Sequence, residues 1–248
     1  MIPARLQSSR FPRKMLAMLG GKPLLQWVWE SAINSGRFEE IVFAVDAEEI
    51  ADLVRSFGGK VHMTSPTCLN GTERMVELLK TGRLDADVCV CWQGDEPFVE
   101  KSMIDDVLQT AETSDADVWT LKKRIVDPRQ ITSIQYPKVV TDAQGNALLF
   151  SRSPIPCYRD AVSDEEKIYY KHIGIYAYSK KSLHKISGLP VAPIELTEQL
   201  EQLRWLYHGL KIQVHETKNE VQGIDLPEHL ALAEELIKNR CGNHIGTV

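Results

Sequence analysis

Short apolar runs alternate with helix-patterned segments through the first half of the chain, and no other feature constrains the fold as strongly. IVFAVD (41–46), KVHMT (60–64), DVCVCW (87–92) and DVWTL (117–121) read as strands, with AEEIADLVRSFG (47–58), TERMVELLK (72–80) and MIDDVLQTA (103–111) as the helices between them. This order predicts an α/β fold with a mostly parallel central sheet wrapped by helices. Ligands of such sheets lie beyond the carboxyl ends of the strands. Function is therefore expected at Asp46, at Thr64 and at the QGDEP that follows Trp92.

From about residue 125 the pattern changes. KVVTDAQGNALLFSR (138–152) reads as two strands around a turn at residues 142–146, and KHIGIYAYS (171–179) as a further strand, so residues 125–190 are expected to form an antiparallel insertion. A helix over 197–209, a strand over 211–217 and a last helix from about residue 225 follow, with Pro227 and Glu228 supplying a start signal for the last. The eight residues after Arg240 read as a frayed tail.

With 248 residues, 43% hydrophobic and 25% charged, the chain can bury the core of one large domain, 1–248, carrying that insertion. A net charge of −5 argues against nucleic acid or an anionic membrane as the partner, so any positive patch is local. The five cysteines are odd in number and lack CxxC spacing, which fits a reducing compartment; Cys89 and Cys91 are expected on one buried strand face. There is no amino-terminal apolar segment and no run of about 18 apolar residues, so a cytoplasmic location is expected.

Three stretches carry chemistry. IPARLQSSRFPRKML (2–16) packs Arg5, Arg10, Arg13 and Lys14 into ten positions and runs into a segment, 20–33, whose Leu25, Val28 and Trp29 recur at helical spacing. A basic loop entering a helix can cradle phosphate, or it can be solvated charge. It is no Walker motif, and the absence of GxGxxG disfavours a dehydrogenase. WQGDEPFV (92–99) sets Gln93, Asp95 and Glu96 after a buried strand, where a carboxylate holds Mg²⁺ against phosphates or makes its own turn. Asp225 is open to the same two readings, metal ligand or helix cap. NGTERM (70–75) reads as a turn with Thr72 as N-cap, which leaves Arg74 at the positive end of a helix dipole in need of an anionic partner. His172 and Tyr176 share a strand face near Gly174, as a packed pair or as ligand groups.

Together IPAR…RFPRK, GKPLLQWVWE, NGTER, QGDEP, ALLFSRSPIP, KHIGIYAY, LEQLRWL and GIDLPE resemble, in order and spacing over almost the whole chain, the 3-deoxy-manno-octulosonate (Kdo) cytidylyltransferases, or CMP-Kdo synthetases. The resemblance implies a glycosyltransferase-A-like nucleotidyltransferase fold, a homodimer, and transfer of CMP from CTP to Kdo with Mg²⁺ for lipopolysaccharide assembly; the antiparallel insertion, a sheet with no helix to cover it, is the expected dimer contact. Position by position, it implies that Arg5, Ser9, Arg10 and Lys14 cradle the triphosphate, that Gly71, Thr72 and Arg74 border the cytidine, and that Gln93 and Asp95 complete the nucleotide site. It also implies that Asp95 and Asp225 hold the metal, that Lys14, Arg10 and the two aspartates carry catalysis, and that Arg152, Arg159, His172, Tyr176, Glu201 and Gln202 bind the sugar.

The match departs from the family pattern twice. Pro12-Arg13-Lys14-Met15 stands where the family usually has Pro-Gly-Lys-Pro, and only Met1 and Ile2 precede Pro3 where the family has a full apolar strand, which implies a truncated first strand. The competing expectations are CMP transfer to 8-amino-Kdo or another acidic sugar, and a catalytically impaired nucleotide-binding relative.

Overall fold

A computed structural model of the chain describes residues 1–8, 10–163, 165–220 and 223–242. In chain order its elements are β1 (Ile2–Ala4), a 3₁₀ turn (Lys14–Leu16), β2 (Met18–Leu19), β3 (Lys22–Pro23), α1 (Leu24–Ser35), β4 (Val42–Val45), α2 (Glu48–Ser56), β5 (Lys60–Met63) and α3 (Gly71–Lys80). Then come β6 (Val88–Cys91), α4 (Lys101–Leu108), β7 (Val118–Arg124), α5 (Pro128–Thr132), β8 (Lys138–Thr141), β9 (Ala147–Ser151) and β10 (Tyr170–Ser179). The last are α6 (Lys180–Ile186), α7 (Pro193–Glu198), α8 (Gln202–Tyr207), β11 (Ile212–Glu216) and α9 (Glu228–Gly242). Two compact units result: residues 1–84, 91–101 and the chain after 220 form the first, and residues 85–90 and 102–220 the second.

The first unit is built on the parallel sheet β1-β4-β5. All four β4 residues are buried, as an unbroken apolar run between helices should be. The first strand forms with the residues available: Ile2, Pro3 and Ala4 pair with Phe43, Ala44 and Val45, and the Met1 carbonyl accepts from the Trp92 backbone N–H (3.1 Å). Leu19, Leu24, Phe98, Ile224 and Ala233 form a core cluster that brings α1, the stretch after β6 and α9 together.

In the second unit the sheet runs β11-β7-β10-β8-β9, with β6 also on β10. Only β11-β7 in that run is parallel; β7-β10, β10-β8 and β8-β9 are antiparallel. The expected hairpin is β8-β9 around residues 142–146, closed by Asp142, whose carboxylate accepts from the Gln144 and Asn146 backbone N–H groups. The one central sheet that the alternation predicts is therefore two sheets: β4 and β5 lie in the parallel sheet with β1, while β6 and β7 both pair with β10 in this one.

The single helix expected over 197–209 is instead two, α7 and α8, with Gln199 in the left-handed region (φ 53°) between them. Arg152 accounts for the break: its guanidinium takes the Glu198 (2.7 Å) and Gln199 (3.2 Å) carbonyls that a continuing helix would have used. A two-pronged Glu195–Arg204 ion pair then holds α7 to α8.

Candidate functional site

In the first unit the residues at the strand ends meet. Arg74 is buried, and its guanidinium donates to Asp46 Oδ2 (2.8 Å), Thr64 Oγ1 (2.7 Å) and the Ser65 carbonyl (3.2 Å), joining the ends of β4 and β5. Asp46 supplies the anion that a cation in the first turn of α3 requires. Its other oxygen accepts from the Leu6 backbone N–H (2.8 Å), which fixes the loop leaving β1 just past the exposed Arg5.

Asn70, and not Thr72, caps α3: its Oδ1 accepts from the Glu73 N–H (2.8 Å), while the Glu73 carboxylate accepts from Leu69 N–H (2.7 Å). Thr72 is buried within the first turn. Gly71 is needed for space, since a Cβ there would lie 2.9 Å from Pro3 Cγ and 3.0 Å from Cys91 Sγ.

The basic loop and the two acidic turns form one cluster. Lys14, 5% exposed, extends its ammonium to Asp95 Oδ2 (2.5 Å) and Asp225 Oδ1 (3.3 Å), and Arg10 reaches the same Asp225 oxygen (2.9 Å). Asp225 therefore spends its carboxylate on these cations, and α9 starts three residues later. A backbone bond from Ile224 N–H to the Asp95 carbonyl (2.8 Å) sets the two aspartates side by side, and the buried Ile224 side chain anchors that arrangement. Gly94 lets the QGDEP turn approach the loop: a Cβ there would sit 2.7 Å from the Pro3 carbonyl oxygen and 3.2 Å from Met15 Sδ. Gln93 lies beside Cys91, its Nε2 3.9 Å from Sγ, and Ser9 falls outside the described residues.

Glu96 completes the cluster. Burial, then the charges of Asp95 and Asp225, push its carboxyl up to about 8 against the opposing effect of Lys14, and its buried Oε2 has no hydrogen-bond partner. Among the described residues no three His, Cys, Asp or Glu side chains form a metal cage. The donor set is instead two carboxylates converging on one cation position, with a third, orphaned carboxylate oxygen close by. Mg²⁺ fits such a set, because it takes one or two carboxylates and completes its shell with water and phosphate.

The second unit gathers His172, Tyr176 and Gln202. His172 Nε2 lies 2.9 Å from Thr120 Oγ1, and its Nδ1 lies 3.5 Å from Gln202 Nε2. Gln202 can only donate to Nδ1 through its amide, so the proton sits on Nε2 and points to Thr120, whose hydroxyl then donates to the Ile173 or Ile175 carbonyl. Those carbonyls belong to a bulge in β10: opposite β7 the register steps from Ile173↔Leu121 to Tyr176↔Thr120. The His172 ring packs edge-on against Phe150 (4.9 Å between centroids) and tilted against Tyr176 (5.4 Å), which stands edge-on to Trp205 (5.3 Å). Desolvation in this packing holds the imidazole down to about 3, so it stays neutral near pH 7.

Glu201 precedes α8 directly, on the segment that Arg152 ties down. Arg152 itself is occupied, bonding the Ile134 carbonyl (2.7 Å) as well as those of Glu198 and Gln199. Arg159 is exposed and pairs with its neighbour Asp160.

The Cytidylyltransferase family model matches residues 1–212. A 3-deoxy-manno-octulosonate cytidylyltransferase of Geobacter metallireducens is 43% identical over 92% of this chain and 93% of its own length, and one of Phocaeicola vulgatus is 44% identical over 97% of each. The chain belongs to the 3-deoxy-manno-octulosonate cytidylyltransferase family. A solved CMP:2-keto-3-deoxy-manno-octonic acid synthetase complexed with CTP superposes with a TM-score of 0.89 at 36% identity, covering 96% of this chain and 97% of that one. A 4-diphosphocytidyl-2C-methyl-D-erythritol synthase of Anaerococcus prevotii, at 12% identity and a TM-score of 0.59, shares the fold. As a cytidylyltransferase the chain is a nucleotidyltransferase enzyme.

Sequence reading of this cytidylyltransferase missed Thr120 and Glu198, named Glu96 without a role of its own, and named Asp46 without its pairing to Arg74. Asn70 followed three residues later by Glu73 was a capping signal open to view. Thr120 gave none, since its partners lie more than fifty residues along the chain.

Proposed function

We propose that this enzyme transfers CMP from CTP to the anomeric hydroxyl of 3-deoxy-manno-octulosonate, giving CMP-Kdo and pyrophosphate for lipopolysaccharide biosynthesis. The observation that carries the reading is the Lys14 ammonium between Asp95 and Asp225, beside Arg10, in a chain of this family. The anomeric oxygen bonds to the α-phosphorus as the α–β bridging oxygen departs with pyrophosphate, and the hydroxyl proton passes to water. No protein nucleophile is required.

Attack by an acidic sugar on a triphosphate is opposed by charge, so fixed cations are the main contribution the protein makes. Arg5, Arg10 and Lys14 would neutralise the phosphates, with Lys14 and Arg10 taking up charge as pyrophosphate leaves. Asp95 and Asp225 would hold Mg²⁺, which when bound supplies further charge neutralisation and orients the hydroxyl. Gly71, Thr72 and Gln93 would border the cytidine, and Arg74 would serve that site through Asp46. In the second unit the neutral His172, with Tyr176, Glu201 and Gln202, would recognise sugar hydroxyls, and Arg152 would position the last two.

A homodimer belongs to the same proposal, supported by the exposed Ile134, Leu148 and Leu196 on the second unit; light scattering at micromolar concentration should give twice the chain mass. Among the described residues no helix is long and apolar enough to cross a membrane, and the proposed location is the cytoplasm. The decisive assay is pyrophosphate release with CTP, Mg²⁺ and Kdo. Release should fall to background with UTP or ATP, and faster release with 8-amino-Kdo or a nonulosonate would overturn the assignment of the sugar.

A further inference from the structure

Lys14 occupies the position that the reading above gives to the divalent cation. Its ammonium lies on Asp95 Oδ2 and Asp225 Oδ1 at once, and the side chain is almost wholly buried, so it is a packed part of the cluster. The turn that presents it is fixed: Arg13 is in the left-handed region, the Leu16 N–H donates to the Arg13 carbonyl (2.9 Å), and the Lys14 N–H donates to that of Phe11 (3.2 Å). The aspartates are fixed too, through the Ile224 to Asp95 backbone bond. The group bridging both aspartates is carried on a long, flexible lysine stem, which can swing its ammonium without moving the backbone.

An ammonium and a divalent ion need the same carboxylate lone pairs, and Mg²⁺ demands oxygens at about 2.0–2.1 Å with near-octahedral order. Both cannot sit there. A triphosphate offers the ammonium another anion, and once Lys14 has moved to it Asp95 loses its counter-charge and Asp225 keeps only the half-exposed Arg10. We infer that Lys14 is a resident counter-cation that keeps the divalent-cation position closed until a nucleotide draws it off, so that nucleotide binding precedes and strengthens cation binding. The inference rests on Asp95 and Asp225 being the metal ligands. It explains how carboxylates this close together are kept neutralised in the empty enzyme.

Mn²⁺ binding followed by electron paramagnetic resonance on the full chain tests it, with CTP present or absent, no sugar, and the Mn–CTP complex in buffer measured alone and subtracted. Wild type should bind Mn²⁺ weakly alone and about tenfold or more tighter with CTP, within the usual range of coupling between sites. Lys14→Met, which keeps the stem and removes the charge, should bind Mn²⁺ alone about tenfold tighter than wild type and lose most of the CTP effect. Adding Asp225→Asn should abolish that gain. Equal wild-type affinity with and without CTP overturns the inference without recourse to any variant. A folded Lys14→Met that binds Mn²⁺ no tighter than wild type also overturns it, while the metal reading survives as long as CTP-bound wild type takes up Mn²⁺. Absence of Mn²⁺ binding under every condition removes the metal reading and the inference with it.

Discussion

The two units solve the burial of polar groups in opposite ways. In the first, Lys14, Arg10, Asp95 and Asp225 are charges facing charges, and Glu96 stands beside them with an oxygen unpaired. In the second, His172, Thr120 and Gln202 are neutral, linked donor to acceptor and enclosed by Phe150, Tyr176 and Trp205. A charged cluster exchanges partners readily when another ion arrives, because no charge need be created or destroyed. A neutral relay with its tautomer set by neighbours holds a shape instead. The first arrangement suits a polyanion and its metal, and the second suits the hydroxyls of a sugar.

Breaking the charged side should have the largest effect. Asp95→Asn and Lys14→Ala should each lower pyrophosphate release by about 10²–10³, the usual loss for one group that stabilises developing charge. His172→Gln should act mainly on the Michaelis constant for the sugar and leave that for CTP unchanged. If Asp95→Asn kept wild-type turnover, the proposed mechanism would be wrong.

The glycines sharpen the contrast through stability. Gly94→Ala would drive a Cβ into the Pro3 carbonyl, a backbone atom that cannot rotate away, and should cost about 2–3 kcal/mol in urea unfolding. Gly71→Ala meets side-chain atoms of Pro3 and Cys91 and should cost less. Gly174, in the second unit, has nothing within 4 Å of a Cβ, so its alanine variant should stay within about 0.5 kcal/mol of wild type.

The pH dependence of stability separates the units again. An unfolded histidine takes up a proton below about pH 6.5, but the folded His172 resists until about 3. Its contribution is complete above pH 6.5 and is lost progressively as the pH falls towards 3, with a slope of at most about 1.4 kcal/mol per pH unit. Wild type minus His172→Gln should show that slope below pH 6.5 and none above it.

What the sequence made legible follows the range of the interaction. The helix–strand alternation placed β4, α2, β5 and α3, because burial of a strand and amphipathicity of a helix are written in neighbouring residues. The acidic turns and the basic loop were visible as types, and the family resemblance brought them together. Their pairing was not visible from charge, since Lys14 meets partners 81 and 211 positions away. Arg74 advertised its need for an anion without revealing Asp46. The break at Gln199 has no glycine or proline to mark it, because it is imposed by Arg152, 47 residues earlier. The β10 bulge is filled by Thr120 from another strand, and Gly174 alone did not announce it.

Among the described residues each unit also holds one residue other than glycine in the left-handed region, and these give the smallest and most discriminating comparison. Arg13 (φ 57°) holds a backbone conformation that glycine adopts without a Cβ penalty. Left-handed backbone costs a residue with a Cβ roughly 1–2 kcal/mol, part of which glycine returns through its freer unfolded chain. The Arg13–Glu49 ion pair that would be lost joins two half-exposed side chains and contributes little. Arg13→Gly should therefore stabilise by about 0.5–1 kcal/mol, read as a rise of a few degrees in Tm. Gln199 (φ 53°) differs because its side-chain amide donates to the Leu196 carbonyl (2.7 Å). Gln199→Gly gives up that bond along with the strain and should come out near zero. Equal gains at both positions would mean that backbone strain alone governs them; a gain confined to Arg13 would show that the Gln199 side-chain bond offsets the strain there.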